Sequence, residues 1–285
     1  MTIPPLFSVV IPTYCRNDLL AKCLDCLAPG RQTLPKEKYE VIVTDDGVET
    51  TAQEMLEQRY PWAKWVAGTQ LGPAANRNNG SQYAHGEWLV FIDDDCLPDI
   101  NWLEEYTKVI MAIPEYHVFE GRVYVDRPRR YLAETSPVNE SGGYLWSCNF
   151  TIKKELFQSL GGFDERFPYA AMEDVDFRLR LTQNGYKFAF VKGASVCHPW
   201  RKKGDWGQLK QRQESILLYL SIHSEQLQHL NYWYYLKRFY RRFVNNVILA
   251  IRLGDFDFKY LVYEPYFSLK MSKELLLNKF AEGEK

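Results

Sequence analysis

Three consecutive carboxylates, Asp93-Asp94-Asp95, end the apolar run Trp88-Leu89-Val90-Phe91-Ile92. That run has the length and composition of a buried strand. Burying ionised carboxylates without partners is very costly, so three in a row belong at the strand's solvent-facing end. In open α/β sheets that end is where ligands sit. Clustered oxygen ligands there suit a hard divalent cation, Mg²⁺ or Mn²⁺, which in turn binds phosphate. The plain alternative is an acidic turn with Pro98 stopping the strand. Asp45-Asp46-Gly47 ends a second apolar run, and Glu173-Asp174-Val175-Asp176 opens a helical pattern.

The elements that must position these acids follow from periodicity and breakers. Residues 7–12 form a β-branched strand stopped by proline, and Asn17 or Asp18 is placed to cap the helix that follows. Residues 39–44 read as the second strand, 53–60 as a helix, and 65–67 as a brief strand. The stretch 72–80 opens a helix leading to the strand with three acids. This βαβαβαβ order predicts a parallel sheet with right-handed crossovers, and both acidic strand ends then share one edge. A helix over 102–113 and a strand over 118–125 follow, then a polar loop over 126–143. Residues 145–152 read as a strand, 154–160 as a short helix, and 175–184 as a helix closed by Gly185. Residues 187–191 and 194–197 read as two short strands. From residue 204 the chain becomes helical and crowded with aromatic and basic residues. The expected division is therefore a domain over 1–203 and a helical extension over 204–285.

A net charge of −1 over 285 residues gives no electrostatic reason to expect nucleic acid as a partner. The six cysteines are scattered, and Cys23-x-x-Cys26 lacks a second pair to complete a zinc site, so all six are expected as reduced thiols. Pro4 and Pro5 without a basic n-region argue against a signal peptide, and no apolar run approaches a membrane span. The expected location is cytoplasmic, at most peripheral at the inner face of a membrane.

The ordered motifs resemble the family 2 glycosyltransferases of GT-A fold. They are Val9-Val10-Ile11-Pro12-Thr13-Tyr14, Val43-Thr44-Asp45-Asp46-Gly47, the stretch 72–80 around Arg77, and Phe91-Ile92-Asp93-Asp94-Asp95. Gly161-Gly162-Phe163-Asp164-Glu165, Glu173-Asp174 with Arg180-Leu181, and His198 complete the set. The resemblance covers about two thirds of the chain. It implies an α/β, Rossmann-like, mostly parallel sheet, and inverting transfer of a sugar from a nucleotide-diphosphate sugar to an acceptor hydroxyl. Pro12 and Tyr14 would line the base pocket, Asp45 would bond the nucleobase, and Arg77 would contact base or phosphates. Asp94 would face the ribose, with Arg16, Asp46 and Asp93 in the same donor site. Asp95 would hold Mn²⁺ or Mg²⁺, His198 would add a metal or phosphate contact, and Asp174 would be the catalytic base. A UDP-sugar comes first among donors, with guanine and thymine left open. The acceptor, whether glycan, lipid-linked or small molecule, would meet Trp146, Asn149 and Glu173, although Trp146 and Asn149 fit packing equally well. Val48 stands where the family usually has Ser or Thr, which removes a hydroxyl near the base or ribose.

The chemistry suits these residue types: a diphosphate leaves well only when its charge is neutralised, and an attacking hydroxyl needs a carboxylate to take its proton. The helix dipole favours the charged form of Asp174, and neighbouring Glu173 and Asp176 oppose it. Rival readings are a sugar nucleotidyltransferase, which would carry a Gly-rich basic loop where Tyr14-Cys15-Arg16-Asn17 stands, and a non-catalytic binding or scaffold subunit. For the C-terminal segment, packing on its own domain or homo-oligomerisation precedes a membrane-surface role for Lys237, Arg238, Arg241 and Arg242 among the aromatics.

Overall fold

A computed structural model describes residues 4–283, with side chains to residue 277. Among these, the strands are Phe7–Thr13 (β1), Tyr39–Asp45 (β2), Lys64–Ala67 (β3), Trp88–Ile92 (β4), Leu97–Pro98 (β5), Val118–Tyr124 (β6), Glu134–Thr135 (β7), Asn149–Lys153 (β8), Ala189–Cys197 (β9) and Arg201–Lys202 (β10). The helices are Asn17–Leu27 (α1), Gln53–Arg59 (α2), Pro73–Gln82 (α3), Trp102–Ala112 (α4), Lys154–Ser159 (α5), Glu173–Gln183 (α6), Trp206–Ile222 (α7), Tyr232–Leu253 (α8) and Phe258–Gly283 (α9).

The chain forms two compact units. One holds the residues up to Asp126 with Ser136–Pro199, the other Arg127–Thr135 with the residues from Trp200 onward. The first unit is built on one sheet of order β3-β2-β1-β4-β8-β6-β9-β5. β1 pairs in parallel with β2 and β4, β2 with β3, and β6 with β9; β8 runs antiparallel between β4 and β6. The expected mostly parallel α/β architecture is what forms.

Side chains alternate across the strands, so each helix layer finds apolar residues to cover. Val9, Ile11, Val41, Val43, Val90 and Ile92 pack with Leu20, Leu24, Leu56 and Trp102 on one face. Val10, Ile42, Leu89 and Phe91 pack with Phe157, Phe163, Phe177 and Leu181 on the other. Phe177 and Leu181 thereby anchor α6, and with it the Glu173-Asp174 pair at its start.

Several elements differ from the sequence expectation. Neither Asn17 nor Asp18 caps α1; Asn17 is its first residue, and its amide donates to the Thr51 carbonyl at 2.9 Å. Leu97 and Pro98 add an antiparallel strand against β9, where only a strand stop was expected. The strand expected over 145–152 begins at Asn149, because Gly142, Gly143 and Leu145 all take positive φ. The two short strands after α6 are one strand, β9, with a register irregularity opposite Gly121 and Arg122. The loop 126–143 is split between the units: β7 pairs with β10.

The second unit pairs α8 with α9 and adds α7, as its helical composition predicts. Arg212 forks onto Glu264 at 2.9 and 3.1 Å and lies 3.8 Å from the Phe267 ring centroid. Asp205 caps α7, Asn231 caps α8, and Gly254 ends α8 at φ 64°.

Candidate active site

The carboxyl ends of β1, β2 and β4 set Thr13, Asp45 and Asp93 along one sheet edge. β8 is antiparallel to β4 with Asn149 opposite Ile92, so the residues preceding β8 arrive at that same edge. β9 runs parallel to β6, and its last residue, Cys197, pairs with Leu97. That pairing brings His198 to Asp95.

His198 is 1% exposed. Its Nδ1 stands 3.2 Å from the Pro199 carbonyl, which can only accept, so Nδ1 is the donor, and in the neutral ring Nε2 is left with its lone pair. Nε2 is buried, makes no hydrogen bond, and lies 3.3 Å from Asp95 Oδ1. An imidazole nitrogen and a carboxylate oxygen facing each other at this distance fit a divalent cation: bonds of about 2.1 Å at right angles put ligand atoms about 3 Å apart. Cys96 Sγ is close to both. Burial raises that thiol well above its ordinary pKa, so Cys96 stays neutral and belongs to the core.

Asp94 is fully buried. Thr13 Oγ1 donates to it at 2.7 Å, and Arg16 grips it at 2.6 Å while also reaching Asp95 at 3.3 Å. Burial pushes its carboxyl up to about 7, against the opposing pull of Arg16 and Thr13. Asp45 accepts from Gly47 N, Ala52 N and Trp65 Nε1, and so ties down the loop before α2. Asp46 accepts from Gln70 N at 2.9 Å, and burial raises its pKa. Both of the paired acids therefore order backbone. Pro12 is buried in β1, whereas Tyr14 is exposed.

α3 has no apolar stripe; it buries polar residues and gives each a partner. Asn76 bonds Thr44, and Asn78 bonds the Phe163 backbone and Glu165. Gly72, φ 98°, leads into the helix, and a Cβ there would sit 2.2 Å from the Pro168 carbonyl. Arg77 is not the solvated charge its helical position would suggest. Only 4% of its side chain is exposed, and it bridges Asp93 at 2.7 Å and Glu173 at 3.2 Å. This one guanidinium ties the end of β4 to the start of α6.

Met172, at φ 76°, turns the chain into α6. Asp174 is partly buried, and its Oδ1 accepts from Val175 N at 2.7 Å. Burial raises its pKa and Asp93 adds to this, while Arg77 pulls it down. Glu173 is also raised, by burial and by Asp174, and its carboxylate is occupied by Arg77.

On the other flank, Glu120 is buried in β6 and gathers the N–H groups of Gly143, Tyr144 and Leu145 with the Asn139 amide. A Cβ at Gly142 (φ 82°) would stand 2.8 Å from the Glu120 carboxylate. Arg178, one turn beyond Asp174, donates to the Gly143 carbonyl. The loop so pinned presents Tyr144 and Trp146 as a pair with ring centroids 4.5 Å apart. Asn149 does not face this loop's solvent side. It is 2% exposed, accepts from Trp102 Nε1 and Tyr106 Oη, and donates to two carbonyls, so its amide is saturated and the packing alternative fits.

Sequence reasoning did not single out Thr13, Glu120, Tyr144 or Arg178. Glu120 left a weak signal, an acid inside the strand-like run Val118-Phe119-Glu120-Gly121-Arg122-Val123-Tyr124; Tyr144 and Arg178 left none.

A family model described as "Glycosyl transferase family 2" matches residues 8–170. The chain belongs to that family. It is similar to glycosyltransferase AglE of Haloferax volcanii, 29% identical over 215 residues covering 70% of this chain and 69% of the relative. It is also similar to chondroitin synthase of Escherichia coli, 27% identical over 67% of this chain but only 34% of that protein. Among solved structures, mannosyltransferase PcManGT from Pyrobaculum calidifontis, in complex with GDP-Man and Mn²⁺, superposes with TM-score 0.60 at 20% identity, covering 98% of this chain and 76% of that one. TarS 1-349 of S. aureus, in complex with UDP-GlcNAc, gives 0.57 at 22% identity, covering 74% and 64%. These likenesses show the GT-A fold. The protein is thus a glycosyltransferase, and its family supports transfer from a nucleotide sugar.

Proposed function

We propose that this glycosyltransferase moves a sugar from a nucleotide-diphosphate sugar, a UDP-sugar first, to an acceptor hydroxyl with inversion, in polysaccharide or glycoconjugate synthesis at the cytoplasmic side. The observation that carries this is the sheet edge that gathers Asp93, Asp94, Asp95 and His198, tied by Arg77 to Glu173, the neighbour of Asp174 at the start of α6. Asp95 and His198 would hold Mn²⁺ or Mg²⁺, which when bound supplies Lewis-acid neutralisation of the leaving diphosphate. Asp94 and Arg16 would face the ribose and phosphate. Pro12, Tyr14 and Asp46 shape the base pocket, and Asp45, with three of about four lone-pair positions used, keeps one for a base N–H.

Asp174 takes the acceptor proton as the hydroxyl oxygen bonds to the anomeric carbon; the carbon–oxygen bond to the diphosphate breaks, and its electron pair leaves on the nucleotide. Arg77 holds Asp93 and Glu173 and keeps Asp174 nearer its charged form. Anomeric configuration by proton NMR, with purified chain, donor, an accepted acceptor and Mn²⁺, tests the stereochemistry. A product inverted at the anomeric carbon is expected, and a retained one would remove Asp174 from the role of base.

The Tyr144–Trp146 pair is the acceptor platform in this reading, since aromatic faces cover the apolar C–H faces of sugar rings. Tyr144→Ala is expected to raise acceptor KM about 10-fold, the loss of roughly 1.4 kcal/mol of uniform binding, with kcat and donor KM nearly unchanged. An unchanged acceptor KM would place the acceptor elsewhere.

A further inference from the structure

α8 has one buried and one exposed apolar face. Tyr235, Asn246 and Ala250 are buried, whereas Trp233, Tyr240, Phe243, Val244, Ile248 and Ile251 are each between 40% and 65% exposed. At 100° per residue, positions 233, 237, 240, 244, 248 and 251 fall on one stripe, about 30 Å long. Phe243 flanks it on one side, and Arg241 and Arg252 on the other. Lys237 alone interrupts the apolar row. Phe256 and Phe258, more exposed still, follow just past the helix end. Scattered surface apolar residues need no explanation, but a row of this extent marks an interaction face.

Charge selects the occupant. α8 carries no acid; Lys237 lies on this face and Arg241 and Arg252 flank it, whereas Arg238 turns to Glu264 of α9 at 3.7 Å. A second copy laid α8 against α8 would oppose cation with cation. A lipid surface bearing anionic headgroups complements the same face: apolar residues enter the acyl boundary, Trp and Tyr sit at headgroup level, and the flanking cations meet phosphate. Among the described residues no helix is long and apolar enough to cross a membrane. We propose that the exposed face of α8 seats this protein flat on an anionic lipid surface. The inference does not depend on the transfer reaction.

Co-sedimentation of the full chain with vesicles of phosphatidylcholine, with and without phosphatidylglycerol, tests it. Binding is expected with the anionic vesicles at low salt, weakening as salt screens the cations. The double substitution Val244→Glu with Ile251→Glu alters only exposed positions. It is expected to lower vesicle affinity by about 10-fold or more while leaving the melting curve unchanged. Three results would overturn the proposal: a chain that stays in the supernatant with anionic vesicles at low salt, a double variant that binds as well as the parent, or a parent dimer by light scattering that the double variant dissolves. In the last case the face belongs to a second copy.

Discussion

Asp174→Asn is expected to lower kcat by about 10²–10⁴-fold, the range for loss of a general base, while donor binding stays within about twofold. The asparagine keeps the size of the side chain, and the amide can still accept from Val175 N. What it loses is the ability to take a proton. The structure also fixes the sign of the pH dependence. Burial and Asp93 raise the Asp174 pKa, so its base form is lost, as pH falls, at a pH above the ordinary aspartate value of about 3.9. The Asp174 titration is therefore expected to contribute to the acid limb of the kcat/KM profile in the parent, and in Asp174→Asn that contribution disappears, leaving the limb that Asp94 sets. A variant that retains both the rate and the parent's limb would assign the base elsewhere.

Arg77→Met is expected to be the most destabilising single substitution at the site, by about 3–5 kcal/mol, because it takes the cation away from the buried Glu173 carboxylate and from the half-buried Asp93. At 5% side-chain exposure, Glu173 has little water to replace the lost partner; Asp93, at 23%, has more. For a unit of this size the loss is a fall of roughly 6–20 °C in melting temperature. Adding Glu173→Gln should restore part of it, since the second change removes one orphaned charge, and the non-additivity measures the coupling. Arg77 also pulls the Asp174 pKa down. Any activity left in Arg77→Met should therefore show its acid limb shifted to higher pH. Melting unchanged from the parent would contradict the clamp that joins β4 to α6.

The βαβ half of the first unit was legible because each strand there is a short apolar run ended by acids, Gly or Pro. The acids at 45–46 and 93–95 follow from the same signal: charges that close an apolar run must sit at its solvent edge. α3 was legible as a helix but not in what it buries, since amphipathic reasoning assigns polar side chains to water. Asn76, Arg77 and Asn78 instead face inward with partners from distant segments. The antiparallel half was less legible for a related reason. β5 is two residues long and exists through its pairing with β9, and the start of β8 is delayed by Glu120, a carboxylate more than twenty residues upstream in β6. Such pairings lie outside any local window. The same non-locality hid the Tyr144–Trp146 ring pair and the route by which His198 reaches Asp95.

The most direct test of the central claim is a thermal-shift panel of UDP-, GDP-, dTDP- and CMP-sugars, each with Mn²⁺ and with chelator, on the parent chain and on Asp95→Ala. A donor at 100 times its Kd stabilises the folded protein by about 2.7 kcal/mol. The account predicts a rise in melting temperature for one nucleotide series, present with Mn²⁺, largely absent with chelator, and lost in Asp95→Ala. A donor shift of equal size with chelator and in Asp95→Ala would contradict the placing of the metal at Asp95 and His198.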